Sequence, residues 1–386
     1  MTVRVRATLV AATAVALTAA LAAPAIAAPP AGNTGHTGHH DATRAAIEAA
    51  VADGVPGVTV TARDRRGEWS ATAGVGDLRT GKPRSPQDHY RAGSITKTFV
   101  VTVLLQLEAQ GRLSLDDRVE KWLPGLVRGN GHDGRAITLR QLLNHTSGVF
   151  SYGDDPVFEE TYERKDGFMK HRYDRKTPQD LIAIAMSHPP RFAPGTSWSY
   201  SNTNYVLAAL VIEKVTGHAY DKEVMRRVIT PLGLKDTEVP GTRPTLPKPS
   251  SRAYSKLADA TTGPTYDVTE MNPALAFGSG DMVSTSADLG RFYSALLQGR
   301  LLPPAQLKEM KTTVPETTIP NAQYGLGLGD VTLSCGVHVW GHTGEIHGST
   351  SMAVTTADGR HTLAVNFNND WSGDIMAVID AEYCGE

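Results

Sequence analysis

The sequence predicts an α/β fold in which one antiparallel sheet, flanked by helices, is built from both ends of the chain. Apolar and polar residues alternate near the start, in GVTVTARD and EWSATAG, and again near the end, in GVHVWGH, SMAVTTAD and HTLAVNFN. Between these runs, about residues 112–300 read as helices and long loops, which predicts an inserted all-α lobe. We therefore expect an α/β layer formed by about residues 41–93 and 301–386, with a cleft where it meets the lobe.

The N-terminus carries the pattern of a signal peptide over residues 1–27. Two arginines precede a short alanine-rich apolar run, and Ala25-Ile26-Ala27 then supplies small residues at the spacing that a signal peptidase recognises. An N-terminal membrane anchor is the alternative, but the run is short for a span. We expect a secreted protein without a stable membrane anchor, with a mobile leader over residues 28–40 and a folded domain over residues 41–386.

The bulk composition is that of a globular protein, with 40% hydrophobic and 20% charged residues in a chain of 386. Its 38 basic residues are dispersed and are balanced by 40 acidic ones, so we expect no nucleic-acid partner. The two cysteines, Cys335 and Cys384, would meet an oxidising environment after export, which favours one disulfide. Two free buried thiols are the alternative.

The helices are predicted from apolar periodicity and from their end signals. The first runs from Asp41 to Ala52, with Asp41 as its N-cap. A nearly wholly apolar helix begins at Ser94 and ends before Gly111, which suits the left-handed position after a helix. Because polar residues are scarce on this helix, we expect it to be central in the fold.

Three later segments complete the prediction. Residues 152–176 are unusually charged, which is typical of a solvated surface flap. The run NYVLAALVIEKVTG predicts a second apolar helix that ends at Gly217, and a final helix covers about Asp374 to Tyr383.

Ser94 and Lys97 form the first candidate for chemistry. They stand three residues apart at the start of a helix, so both side chains share one face. A desolvated lysine can lose its proton near neutral pH and act as a base toward a serine nucleophile. The pair alone is weak evidence, because a lysine with a buried stem would give the same pattern.

Two further stretches strengthen this hypothesis. Tyr200 and Asn202 flank Ser201 just before a predicted helix, and His342-Thr343-Gly344 end a predicted strand. A glycine there would let a substrate backbone approach the strand edge. Taken separately, the first stretch could be a helix cap with a packed tyrosine and the second an ordinary turn.

Together, in this order, the three motifs resemble those of the penicillin-recognising serine hydrolases, the DD-peptidases and serine β-lactamases. The longer stretches LRQLLNHTSGVFSY, YSNTNYVLAALVIEKVTG, QYGLGL and GHTGEIHG look like the secreted actinobacterial D-Ala-D-Ala carboxypeptidases of the low-molecular-mass class B penicillin-binding group. The resemblance runs from about residue 41 to 385. It implies a β-lactamase/DD-peptidase-like fold, and the two cysteines look placed like that group's disulfide.

The resemblance also implies a mechanism. Ser94 would form an acyl-enzyme, while Lys97, with Tyr200 as its partner, removes the serine proton. Tyr200 would pass a proton to the leaving amine and later activate water or an acceptor amine. The backbone N–H groups of Ser94 and Glu345 would bind the oxyanion.

The remaining motif residues would bind substrate or support proton transfer. Asn202 would hold the acyl amide oxygen, and Thr343 and Gly344 would line the substrate site. His342 would supply hydrogen bonding and positive potential, although imidazole titrates near neutrality. No cofactor is expected. A metal is not expected either, because His342, His347 and Glu345 lack a third histidine or a cysteine nearby.

Two positions depart from the carboxypeptidase pattern. Those relatives carry an arginine, six residues before the cysteine, that holds the substrate's terminal carboxylate; this chain has Gly329. They carry threonine after the His-Thr-Gly motif, and this chain has Glu345. A lost cation and a gained anion disfavour a carboxylate substrate, unless Glu345 points to solvent and another basic residue substitutes.

The sequence therefore leaves several functions open. The leading hypothesis is a serine D-Ala-D-Ala carboxypeptidase that acts on D-amino-acid-containing peptides or peptidoglycan stems and binds β-lactams as inhibitors or slow substrates. The alternatives on the same site are an esterase, a D-aminopeptidase or amidase, and a class C-like β-lactamase. A non-catalytic binding protein is a further class, disfavoured because the motif residues are intact.

Overall fold

A nine-stranded antiparallel sheet forms the centre of the computed structural model, which describes residues 39–258, 261–317 and 320–385. The strand order is β10-β11-β12-β13-β14-β15-β1-β2-β3. The strands, including those of three small two-stranded ribbons, are β1 Gly57–Asp64, β2 Gly67–Asp77, β3 Lys82–Pro83, β4 Tyr90–Arg91, β5 Arg128–Gly129, β6 His132–Asp133, β7 Tyr254–Ser255, β8 Tyr266–Asp267, β9 Val283–Ser284, β10 Val314–Pro315, β11 Ala322–Tyr324, β12 Gly329–Thr332, β13 His338–Ile346, β14 Ser349–Thr356 and β15 Thr362–Phe367.

The helices lie on both faces of this sheet and in a lobe beside it. They are α1 Asp41–Ala52, α2 Thr96–Ala109, α3 Val119–Trp122, α4 Leu139–Leu143, α5 Pro156–Tyr162, α6 Lys165–His171, α7 Pro178–Met186, α8 Asn202–Thr216, α9 Tyr220–Val224, α10 Thr230–Leu232, α11 Ser286–Leu297, α12 Pro304–Met310 and α13 Ile375–Cys384. A π-helical turn, Met225–Ile229, joins α9 to α10.

The sheet is assembled from both chain ends, as predicted. The first strand, β1, pairs with the last, β15, in a register that sets Val58 opposite Phe367. Helices α1 and α13 pack on one face of the sheet, where Ile47 and Val378 join the apolar side chains of β1 and β15 in one cluster. Because both faces are covered, β1 is buried over most of its length rather than alternating.

The helix after Ser94 is central, as predicted. Eleven of the fourteen residues of α2 are buried, and α2 packs against α8 and α12. Gly111 follows it with a positive φ of 68°, and Gly217 closes α8 with φ 76°. Left-handed glycines at both helix ends agree with the sequence prediction.

Three details of the prediction are wrong. The N-cap of α1 is His40 rather than Asp41, which lies in the first helical turn. Helix α11, which the sequence placed in the all-α lobe, packs on the sheet against β1, β14 and β15. The apolar periodicity of a helix shows which of its sides is buried but not which neighbouring element covers that side.

The third difference concerns the segment 152–176. It forms α5 and α6, and it buries Phe158, Tyr162 and Phe168 rather than being solvated throughout.

The chain ends are tied to this core. The predicted signal peptide and residues 28–38 of the predicted leader lie outside the described residues, but His39 and His40 contact the domain. His40 stacks on Trp69 and hydrogen-bonds the buried carboxylate of Glu382 on α13. A disulfide joins Cys335, in the turn between β12 and β13, to Cys384 at the end of α13, so the two cysteines are not free thiols. Within the described ranges, we find no helix long and apolar enough to cross a membrane.

Candidate active site

Ser94 lies in a short 3₁₀ turn, Gly93–Ile95, that leads directly into α2. Its Oγ is 2.8 Å from the Lys97 Nζ, one turn later on the same face. The Lys97 side chain is fully buried. Its Nζ also donates to the Asn202 Oδ1 at 2.8 Å and to the backbone carbonyl of Ser279 at 2.6 Å.

These contacts prepare Lys97 to act as a base. Burial lowers its pKa well below the usual value for lysine, and the opposing charge of Asp281 raises it only in part. The carbonyl oxygens of Asn202 and Ser279 can only accept, so they use two N–H bonds of the amine. When the third proton is absent, the lone pair faces Ser94, and the serine hydroxyl can donate to it.

Tyr200 and Asn202 reach the same centre from the segment that precedes α8. The phenol of Tyr200 is within hydrogen-bonding reach of Ser94, and its ring centroid is 4.8 Å from the Lys97 Nζ. Burial raises the pKa of this phenol well above its ordinary value, so the hydroxyl stays protonated. Tyr200 can therefore donate a proton but is a poor candidate for an initial phenolate base.

His342 is neutral, and both of its ring nitrogens hydrogen-bond other groups of the protein. Its Nδ1 donates to the Thr343 carbonyl at 2.5 Å, and its Nε2 accepts from the Tyr324 hydroxyl at 2.8 Å. Burial, and then the charge of Lys97, lower its pKa to about 3. The expected positive potential from His342 is therefore wrong, because burial disfavours the charged imidazole.

Strand β13 lies directly against the nucleophile turn. A Cβ on Gly344 would come within 2.0 Å of the Ala92 carbonyl oxygen, and one on Gly93 within 2.7 Å of the Glu345 backbone nitrogen. Both positions therefore require glycine. The sequence predicted that Gly344 would admit a substrate backbone; instead it admits the protein's own nucleophile turn, which sets Ser94 and the Glu345 amide side by side.

The side chain of Glu345 is solvent-accessible in an acidic neighbourhood. Partial desolvation, together with the charges of Asp370 and Glu163, raises its pKa. Glu163, from the segment between α5 and α6, is 3.0 Å from the His347 Nε2. Burial would lower the pKa of His347, but Glu163 and Asp370 raise it, so this imidazole pairs with Glu163. Two carboxylates, Glu345 and Asp370, remain beside the pair.

Gly329, the other position that departs from the carboxypeptidase pattern, pairs with Gly341 on β13, one residue before His342. An arginine at this position would lie beside the His-Thr-Gly motif. Glycine supplies no cation there.

Sequence reasoning missed several residues of this centre. His145 and Tyr324 pack around Tyr200, with ring centroids 4.3 Å and 6.4 Å from its ring. Asp281 is buried near Lys97, and burial raises its pKa to about 7. The stretches LLNHTSG and QYGLGL, which carry the two aromatic residues, contributed to the resemblance but indicated no role, because their contacts with Tyr200 are long-range.

No group of histidine, cysteine, aspartate and glutamate side chains in the described part of the chain could hold a metal ion. The chemistry that these residues can perform is acyl transfer, with a serine nucleophile, a neutral amine beside it and a protonated phenol as acid.

Comparison with known proteins agrees with this constellation. The profile of the Beta-lactamase family matches residues 43–377. The chain belongs to this family. The membership confirms the predicted superfamily of penicillin-recognising serine hydrolases and the β-lactamase-like fold, and it identifies the protein as an enzyme of the serine hydrolase type.

Solved structures similar to this chain include D-stereospecific enzymes. The D-stereospecific amidohydrolase from Streptomyces sp. is 59% identical, with a TM-score of 0.86 over 90% of this chain and 99% of that one. The D-amino acid amidase from Ochrobactrum anthropi SV3, complexed with D-phenylalanine, is 28% identical, with a TM-score of 0.77 over 90% of this chain and 99% of that one.

Among curated proteins, penicillin-binding protein 4* from Bacillus subtilis (strain 168) is 26% identical over 310 residues. The alignment covers 77% of this chain and 64% of that protein. The chain thus spans less than two thirds of the length of this relative.

Proposed function

We propose that the protein is a secreted D-stereospecific amidohydrolase that cleaves D-aminoacyl amides, and short peptides that begin with a D-residue, through an acyl-enzyme at Ser94. The observation that carries this proposal is the acidic neighbourhood of Glu345 beside the nucleophile. Such a neighbourhood repels a substrate carboxylate and attracts the protonated α-amino group of a D-aminoacyl amide. The 59% identity to a D-stereospecific amidohydrolase supports the same substrate class.

The mechanism follows from the protonation states. Neutral Lys97 takes the proton of Ser94 as the serine oxygen attacks the amide carbonyl, and the oxyanion is held by the backbone N–H groups of Ser94 and Glu345. Tyr200 then gives its proton to the leaving amine and recovers one from Lys97. Water enters by the reverse route and releases the D-amino acid, which leaves Ser94 and Lys97 in their starting states.

Asn202 and the strand hold the substrate during these steps. Two hydrogen bonds hold Asn202 in place. Its side-chain Oδ1 accepts from the Lys97 Nζ, and its backbone N–H donates to the Ser151 Oγ at 3.2 Å. The expected contact of Asn202 with an acyl amide oxygen applies to N-acylated peptides, because a free D-aminoacyl amide has only the scissile carbonyl, which the Ser94 and Glu345 N–H groups bind. Thr343 and Gly344 present the edge of β13 beside it.

A substrate panel tests the proposal. Purified protein is assayed with a D-aminoacyl amide, its L-isomer, its N-acetylated form, a D-Ala-D-Ala peptide, a short-chain ester and a chromogenic cephalosporin. We expect the highest kcat/KM with the free D-aminoacyl amide and no turnover by Ser94→Ala. Faster cleavage of the D-Ala-D-Ala peptide or of the cephalosporin would contradict the proposal.

Glu345 has a matched test. We expect Glu345→Gln to lower kcat/KM for the D-aminoacyl amide and to raise it for the D-Ala-D-Ala peptide, each by about tenfold, which corresponds to roughly 1.4 kcal/mol. Glu48→Gln, on the exposed side of α1, is the control and should change neither value. Equal values for both variants would show that Glu345 does not select substrate charge.

A D-Ala-D-Ala carboxypeptidase that acts on peptidoglycan stems and is inhibited by β-lactams is the second candidate. It is supported by the similarity to penicillin-binding protein 4* and by the complete motif set. Labelling with a fluorescent penicillin, followed by mapping of the adduct to Ser94, measures β-lactam binding. Secretion is tested separately: the protein from culture medium should begin after Ala27 or Ala28.

A further inference from the structure

His145 holds the backbone on both sides of Tyr200. It follows α4, is fully buried and adopts a left-handed conformation with φ 62°. The Ser199 N–H donates to its carbonyl oxygen at 3.1 Å, and the Ser201 N–H donates to its Nδ1 at 3.1 Å. One residue therefore accepts from the amide before Tyr200 and from the amide after it.

These contacts fix the tautomer of His145. A backbone amide can only donate, so Nδ1 carries the lone pair and Nε2 carries the proton. The Asn204 Nδ2 also lies 3.2 Å from Nδ1. The amide of Asn204 is oriented for this contact by Ser147, whose Oγ donates to its Oδ1 at 2.7 Å.

The ring of His145 packs in a tilted arrangement against the ring of Tyr200. The two centroids are 4.3 Å apart with a 33° angle between the rings. Tyr324, Tyr205 and Trp198 enclose the other sides, with centroids 5.0, 5.3 and 5.9 Å away. Burial, and then the charges of Lys97 and His342, lower the pKa of His145 well below its usual value. A cation on this ring would cost the Ser201 hydrogen bond and would be fully buried.

We propose that His145 is a positioning residue for proton transfer, which holds the Ser199–Ser201 segment and the Tyr200 ring so that the phenol reaches Ser94. The inference rests on the proposed function only in that Tyr200 carries the proton to the leaving group. His145 itself touches neither the substrate nor Ser94.

Two variants that tolerate the left-handed backbone test the proposal. In His145→Asn, the Oδ1 replaces Nδ1 as the acceptor for Ser201. In His145→Gly, the side-chain acceptor is lost while the backbone carbonyl that accepts from Ser199 is kept. Both residues tolerate a positive φ. We expect His145→Gly to lower kcat about 100-fold relative to His145→Asn, with KM changed by less than about threefold, because a misplaced proton donor affects chemistry more than binding. Equal kcat values for the two variants would overturn the proposal.

A double-mutant cycle separates positioning from general damage to the fold. If His145 acts through Tyr200, His145→Gly should cause little further loss in a Tyr200→Phe background. Losses that multiply would overturn the inference. Activity is measured with the D-aminoacyl amide and with an ester of an unactivated alcohol, because both leaving groups need a proton. Turnover of the ester alone would show that the proposed substrate class is wrong while the test of His145 still stands.

A measurement on the intact enzyme covers the case in which His145→Gly does not fold. In protein labelled with ¹⁵N at histidine, we expect the His145 ring to show a protonated Nε2 and an unprotonated Nδ1 throughout the pH range of activity. A protonated Nδ1 would overturn the proposal, because that ring could not accept from Ser201.

Discussion

Lys97 is the residue on which the proposed chemistry depends, because its buried amine contacts two carbonyl acceptors and the Ser94 hydroxyl. The low dielectric that makes its ammonium costly lowers its pKa and so makes the neutral amine more available. Lysine is more suitable than arginine here, since the arginine pKa is too high for burial to produce the free base.

The pH dependence of acylation follows from this state. Below the lowered pKa of Lys97 the amine is protonated and cannot accept from Ser94, so the rate of acylation by an uncharged ester should fall as the pH falls. We expect the midpoint of this acid limb well below 10.5, the ordinary lysine value. Stopped-flow measurement of acylation across pH checks it, and a midpoint near 10.5 would contradict it. Lys97→Arg should be inactive at every pH.

At the scale of elements, the site depends on how closely strand β13 approaches the turn before α2. Gly344 and Gly93 lack the Cβ atoms that would separate the Glu345 amide from Ser94. The strand is held in this position by long pairings with β14 and by β12 on its other side. The proposed oxyanion site is therefore a contact between two elements rather than a local motif.

A single methyl group tests this contact. In Gly344→Ala, the Cβ would lie 2.0 Å from the Ala92 carbonyl oxygen, so backbone must move. We expect a loss of about 1–3 kcal/mol in the free energy of unfolding, and a fall of about 100-fold in the rate of Ser94 acylation. Gly329→Ala is the control, because its Cβ has no neighbour closer than 3.5 Å. Equal acylation rates for the two variants would contradict the close approach.

At the scale of the whole molecule, elements from the two ends of the domain pack against each other. Strands β1 and β15 pair, α1 packs against α13, and the carboxylate of Glu382 on α13 accepts from Thr43 at 2.6 Å and faces His361 at 2.8 Å. The disulfide from Cys384 to Cys335 then fixes the last helix to the turn between β12 and β13.

Removing the disulfide should destabilise the fold without changing the chemistry. For a cross-link that spans 49 residues, the loss of chain constraint corresponds to about 3–4 kcal/mol. We expect the Cys335→Ser, Cys384→Ser double variant to unfold at lower denaturant concentration, with an unchanged Ser94 acylation rate in buffer. Denaturant unfolding of the oxidised protein and of the double variant gives the comparison; equal midpoints would show that the bond adds no stability.

The sequence by itself determined the parts of this protein that depend on short-range pattern. Alternation and apolar periodicity predicted the strands at both ends and the central helix, and the spacing of Ser94 and Lys97 placed both on one helical face. The preference of glycine for the left-handed conformation predicted that Gly111 and Gly217 end their helices. These features could be predicted because each follows from residues within a few positions of one another.

Only the tertiary structure decided the protonation states and the close contacts. The neutral His342, the role of Gly344, the position of α11 on the sheet and the contacts of His145 all arise from residues that are distant in sequence. The physical reason is burial: the pKa of Lys97 and the fit of two glycines against a neighbouring backbone depend on what surrounds them. A motif records which groups are present, and the fold sets their charge and their distance.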